Sequence, residues 1–174
     1  MAVTPVRKTT GKRPPPDSKV HLLHADRLFF DDRLSRTAQV LVGDVQFSHD
    51  GVLMFCDSAL YYEATNSFDA FGHVRMNQGD TLLLDSEVLY YNGLDQLARA
   101  RYDVVLKHGT MTIYTDSLDY DRLYELGYFF EGGRVLDHDN ELTSDWGEYS
   151  PPRHEAVFNY IARSEERFSR NAET

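Results

Sequence analysis

Residues 43–49 read Gly43-Asp44-Val45-Gln46-Phe47-Ser48-His49, and residues 52–62 read Val52-Leu53-Met54-Phe55-Cys56-Asp57-Ser58-Ala59-Leu60-Tyr61-Tyr62. Variants of this pair recur down the chain. The valine returns as Val74 in Gly72-His73-Val74, Val104 in Tyr102-Asp103-Val104 and Val135 in Gly133-Arg134-Val135, at spacings of 29, 30 and 31. A second column keeps step with it. Asp57, Ser86, Asp116 and Asp145 are each followed four residues later by tyrosine, at Tyr61, Tyr90, Tyr120 and Tyr149. Asp26 with Phe30 is an earlier copy. Two columns with one period of about thirty residues mark stacked supersecondary units, each too small to bury its own apolar face.

Within the units the pattern is that of strands. Val45 and Phe47 share a face, as do Phe68, Ala70, Gly72, Val74 and Met76, and again Ala98, Ala100, Tyr102, Val104 and Leu106. Polar residues such as Asp44, His73 and Arg101 alternate with them. Period-2 alternation predicts antiparallel sheet with one dry and one wet face. Turn phrases follow the strands, among them Ser48-His49-Asp50-Gly51, Asn77-Gln78-Gly79-Asp80 and Lys107-His108-Gly109. Their glycines supply the positive φ of tight hairpins. An aliphatic column, Met54, Leu83, Ile113 and Leu142, differs in parity from the tyrosine column. A bulge or strand break near Asp57, Ser86 and Asp116 reconciles the two.

The 174 residues suit one domain or one stack of repeats. Residues 1–18, with Pro14-Pro15-Pro16, read as a disordered leader or linker; 19–162 read as the β domain and 163–174 as a frayed tail. From Arg153 onward, Val157, Ile161, Ser164 and Phe168 keep helical spacing, but a partial further strand is the preferred reading. The net charge of −10 argues against nucleic acid as a partner. No run of about 20 apolar residues is present, and Met1 to Pro16 lacks the apolar stretch of a signal peptide. The single cysteine, Cys56, sits in an apolar run and reads as a buried small hydrophobe.

Chemistry is hard to find. Seven histidines do not fall into metal-ligand spacing; His49, His108 and His138 lie in turns, and His73 on a wet face, so solvated side chains are expected. The aspartates recur once per repeat, which suits a structural device such as a turn cap or an acceptor for backbone N–H groups. Neither a phosphate loop nor a nucleophile elbow appears. No catalytic residue, metal or cofactor is assigned. The tyrosine column reads as a packing ladder, with a carbohydrate-stacking platform as the other reading.

The phrases at 43–62, 68–82 (Phe68-Asp69-Ala70-Phe71-Gly72-His73-Val74-Arg75-Met76 and onward) and 85–91 (Asp85-Ser86-Glu87-Val88-Leu89-Tyr90-Tyr91) resemble the OstA-like domain. That is the family of the lipopolysaccharide-transport protein LptA and of the N-terminal part of LptD. The likeness spans roughly residues 20–150. It implies an all-β, V-shaped β-jelly roll of stacked antiparallel strands and a periplasmic location, with any signal peptide removed or outside this sequence. It also implies a groove that holds the acyl chains of lipid A or lipopolysaccharide, and head-to-tail association with itself or other OstA-like domains through edge strands. From the dry columns, Val45, Phe47, Met54, Phe68, Val74, Met76, Leu83, Val104, Leu106 and Ile113 are the candidate lipid-groove residues. Two other functions fit the repeat: a ligand-free β-solenoid scaffold that self-assembles end to end, and a carbohydrate-active parallel β-helix.

Overall fold

The computed structural model describes residues 18–153 and 155–159. The expected leader before Ser18 and the tail over 163–174 lie outside the described residues. Thirteen strands form one antiparallel sheet: β1 (His21–His24), β2 (Arg27–Phe29), β3 (Gln39–His49), β4 (Val52–Tyr62), β5 (Ser67–Gln78), β6 (Leu82–Asn92), β7 (Leu97–His108), β8 (Met111–Asp121), β9 (Leu126–Phe129), β10 (Gly133–Asp137), β11 (Asn140–Ser144), β12 (Trp146–Ser150) and β13 (Glu155–Asn159). From β3 to β8 each strand pairs with the next in sequence. Antiparallel pairing throughout excludes the parallel β-helix. Residues 155–159, at the start of the possible helix, are strand.

Six strands, β3 to β8, are 11 or 12 residues long, and each carries an irregularity in the middle. The pairing register shifts between Val42 and Val45, Phe55 and Ser58, Phe71 and Val74, Asp85 and Val88, and Arg101 and Val104. An 11-residue strand extends about 35 Å at roughly 3.3 Å per residue. Yet His49, at one end of β3, touches Tyr91, at the opposite end of the strand array, at 2.6 Å. The sheet is therefore folded over along its midline. One layer (A) holds 39–42, 58–62, 67–71, 88–92, 97–101 and 117–121; the other (B) holds 45–49, 52–56, 74–78, 82–86, 104–108 and 111–115. Both bury their inner face in one core. At the ends of the stack the bulge widens into a break, and β1/β2 and β9/β10 carry the two layers as separate strands.

The fold line has its own backbone chemistry. Alternate strands cross it with two consecutive left-handed residues: Gly43-Asp44 (φ +83° and +43°), Gly72-His73 (+80° and +46°) and Tyr102-Asp103 (+65° and +49°). This pair reverses the parity of the strand, so that both halves turn their apolar side chains inward. Glycine is required at 43 and 72 for a second reason. A Cβ at Gly43 would stand 2.4 Å from Asp26 Oδ2, and one at Gly72 2.5 Å from Asp57 Oδ2. The recurring aspartates thus line the fold line. Asp116 accepts the backbone N–H of Asp103 at 3.2 Å, while Asp57 holds the His73 ring at 2.7 Å.

Three columns need correction by one residue. The buried tyrosines are Tyr61, Tyr91, Tyr120 and Tyr149; Tyr90 is exposed. The buried aliphatic column runs Met54, Leu84 and Ile113, with Leu83 turned outward between buried Leu82 and Leu84. Glu87, not Ser86, occupies the position of Asp57. The cause is turn length. Two residues, Asp50-Gly51 or Gly109-Thr110, join β3 to β4 and β7 to β8, but three, Gly79-Asp80-Thr81, join β5 to β6. Tyr102 is exposed because it sits on the fold line, and Leu142 and Phe30 are exposed at the two ends of the stack.

Two substitutions test the fold line. Gly72→Ala is expected to lower stability by more than about 1 kcal/mol, because it combines a positive φ with the Asp57 contact. Tyr102→Gly is expected to raise stability by about 0.5–1 kcal/mol, since the left-handed cost then disappears. Urea unfolding curves give both values, and effects of the same sign would disprove this account of the fold line.

Candidate functional site

The interior between the layers is the place where the dry columns meet. Of the candidate groove residues, Val45, Phe47, Met54, Val74, Met76, Val104, Leu106 and Ile113 project from layer B, and Phe68 from layer A; all are at most 3% exposed. Leu83 is the exception: it faces outward, opposite Asn77 and Lys107, and Leu84 holds the interior position. Apart from Phe68, the opposite wall lies outside the candidate groove residues. In layer A one cross-strand row runs Leu41, Ala59, Ala70, Leu89, Ala100, Leu118 and Phe129. A second runs Tyr61, Phe68, Tyr91, Ala98 and Tyr120. Its signal is present in Ala59-Leu60-Tyr61, Phe68-Asp69-Ala70 and Ala98-Arg99-Ala100, which alternate as a buried strand does.

The two walls differ in size. Alanines at 59, 70, 98 and 100 in layer A face the larger Val, Met, Leu and Ile side chains of layer B. Aromatic rings fill the remaining space. Phe47 of layer B stacks on Phe68 of layer A with ring centres 4.0 Å apart and planes 9° from parallel. Tyr91 continues the stack at 5.3 Å from Phe68, and Tyr61 packs on Phe47 at 5.6 Å. The tyrosine column is thus a packing ladder inside the fold. Cys56, near the fold line, is buried, and that burial pushes its thiol up to about 12.

The histidines divide. His73 is exposed, and its hydrogen bond to Asp57 holds its pKa above the ordinary histidine value. His49 is fully buried, contrary to the expectation from its turn position, and His108 is half-buried with Nδ1 2.6 Å from Tyr149 Oη. Among the described residues no three His, Cys, Asp or Glu side chains gather as a metal-holding group. No helix among them is long and apolar enough to cross a membrane.

The two ends of the stack expose strand edges. Among the described residues the sheet path ends at β1 and β13, with β2 and β11 beside them. Much of the exposed large apolar surface lies there: Leu23, Leu28, Phe30 and Leu34 at one end, Leu142, Trp146 and Val157 at the other.

Comparison with known proteins places these observations. The family described as OstA-like protein matches residues 17–170. Among curated proteins none matches the chain. A solved structure, described as LptH, the LptA homologous periplasmic component of the lipopolysaccharide transport device of Pseudomonas aeruginosa, is 12% identical. The likeness covers 89% of this chain and 90% of that one, with a TM-score of 0.34.

The inward assignment is testable by a matched pair. Leu84→Asp places an unpaired carboxylate in the core, at a cost of several kcal/mol against a total stability of about 5–15 kcal/mol, and is expected to unfold the protein. Leu83→Asp is expected to cost under about 1 kcal/mol. Equal losses in thermal melts would show that the two side chains are assigned to the wrong faces.

Proposed function

The chain belongs to the OstA-like protein family, and we propose that it is a non-enzymatic, periplasmic lipid-holding module of lipopolysaccharide transport or outer-membrane assembly. The observation that carries this reading is the interior: a single apolar lining, continuous across both layers of a sheet that is folded once and not closed into a barrel. Acyl chains occupy the space between the layers as they part, and exchange the contacts of layer A with layer B for contacts with lipid. Val45, Phe47, Met54, Val74, Met76, Val104, Leu106 and Ile113 form one wall and Phe68 belongs to the other, with Leu84 in place of Leu83. The acidic surface, at net charge −10, leaves an anionic headgroup in solvent.

Association end to end is part of the same proposal. Among the described residues β1, β2, β11 and β13 each pair with one neighbouring strand only, and exposed Leu28, Phe30, Trp146 and Val157 lie beside them. Such edges pair with a second copy or another OstA-like domain. A head-to-tail contact is heterologous and grows without closing.

A second reading has one observation in its favour. The Phe47–Phe68 stack joins the two layers directly, which suits a scaffold that assembles end to end and carries nothing. Titration of a fluorescent acyl-chain probe, with displacement by lipopolysaccharide, separates the two. Saturable, displaceable binding to the folded protein is expected. Its absence, together with concentration-dependent growth in light scattering that lipid does not alter, would favour the scaffold.

A further inference from the structure

The free margin of the folded sheet, opposite the fold line, is laced shut by a repeating set of polar contacts. Layer B ends in a rim row in which His49, Gln78 and His108 close successive odd strands, at spacings of 29 and 30. Layer A ends in the buried tyrosines. Each rim side chain meets the tyrosine 41 or 42 residues further on. His49 Nδ1 lies 2.6 Å from Tyr91 Oη, and His108 Nδ1 2.6 Å from Tyr149 Oη. Between them Tyr120 lies by Gln78, and Tyr120 Oη and Gln78 Oε1 are buried without a hydrogen-bond partner among the described residues. We propose that the two histidine–tyrosine pairs form a clasp across the mouth of the fold, and that protonation of His49 releases its first rung and opens the interior.

The hydrogen-bond directions support this. Arg122 Nη1 donates to Tyr91 Oη at 2.6 Å. The Tyr91 hydroxyl proton is then left for His49 Nδ1, which accepts it. His49 Nε2 carries the ring proton and donates to Ser18 Oγ at 2.7 Å. Arg122 Nη2 also reaches the Asp50 carbonyl at 3.1 Å, and Gln96 Nε2 donates to Asp50 Oδ2 at 2.7 Å, so one network spans both layers. The clasp needs neutral His49. A proton on Nδ1 sets a third donor against Tyr91 Oη, beside the Arg122 guanidinium.

The groups that face His49 are Tyr91, Arg122, Asp50, His21 and Ser18. Burial is the largest influence and disfavours the charged ring; Asp50, 3.6 Å from Nε2, opposes it, Arg122 and His21 reinforce it, and the net direction is a pKa below 6.5. The sign follows. The closed state binds fewer protons than the open one, so its stability is fully present above pH 6.5 and falls as the pH drops below that value. The opening equilibrium gains at most a factor of about ten per pH unit there.

A thiol at the rim reports opening without any lipid: with Cys56, which lies near the fold line, replaced by alanine, Val52→Cys puts the single thiol at a buried position paired with His49. The reaction of this thiol with dithiodipyridine, normalised at each pH to the urea-unfolded chain, is expected to accelerate between about pH 7.5 and pH 5, by no more than about thirtyfold. His49→Gln keeps a neutral side chain and is expected to abolish that dependence. Tyr91→Phe keeps the ring and is expected to react fast already at about pH 7.5. Amide exchange distinguishes opening from unfolding: the rim residues 47–53 and 89–97 should lose protection at low pH while 71–75 at the fold line keep it. A pH-independent rate in the chain that keeps His49, an unchanged response in His49→Gln, or uniform loss of protection would overturn the clasp. What enters rests on the function proposed above. If the thiol and the rim amides respond but the acyl probe binds no better at low pH, the clasp stands and the lipid reading fails; if the probe binds but neither responds, the clasp fails alone.

Discussion

Parity is the constraint on which this molecule rests. A strand that runs through both layers of a folded sheet must show its apolar face inward twice, once on each side of the fold line. Strict alternation cannot do that, because successive side chains of a strand point to opposite faces. The chain meets the requirement with one irregular step per strand, built in alternate strands from two residues in the left-handed region at Gly43-Asp44, Gly72-His73 and Tyr102-Asp103. The positions of the aspartates, the need for glycine beside them and the single shared core all follow from that step. Where the step widens into a true break, between β1 and β2 or β9 and β10, the two layers separate into independent short strands.

The thirty-residue period and the antiparallel, all-β character were legible because both arise from local chemistry: alternation along strands and glycine in turns. The valine column was read without error, since Val45, Val74, Val104 and Val135 immediately follow or lie near the fold line and are buried. The mid-strand bulge was also legible, from the parity conflict between Met54 and Tyr61. What failed was counting across the β5–β6 turn. Leu82-Leu83-Leu84 offers three residues of one type and Tyr90-Tyr91 two, so composition could not show which faced inward. The extra residue in Gly79-Asp80-Thr81 decided it. The interior site was half legible: layer B has the large aliphatic residues that attract notice, whereas much of layer A's wall is alanine. His49 was misread because a turn position suggests solvent, while contact between the rims is a property of the folded sheet that no local pattern encodes.

The interior combines two materials. Aliphatic side chains and alanines interdigitate without directional demands, as any close-packed core does. Within it Phe47 stacks on Phe68, and Tyr91 packs against Phe68 at a tilt of 32°. Polar contacts are concentrated at the margin, where His49, Tyr91, Arg122 and Asp50 meet, and along the fold line. The core itself therefore specifies little about the distance between the layers; that distance is set at its two borders, one covalent and one hydrogen-bonded.

The strictly sequential pairing from β3 to β8 has a consequence for the growth of such chains. Each hairpin touches chiefly its predecessor and its successor, so the stack behaves as a nearly one-dimensional array with energies of nearest-neighbour type. Duplication or loss of one hairpin re-threads nothing and leaves every other interface intact. The length of the apolar core is then a quantity that evolution can change in steps of one thirty-residue unit, while its cross-section, set by the step at each fold-line residue, stays fixed.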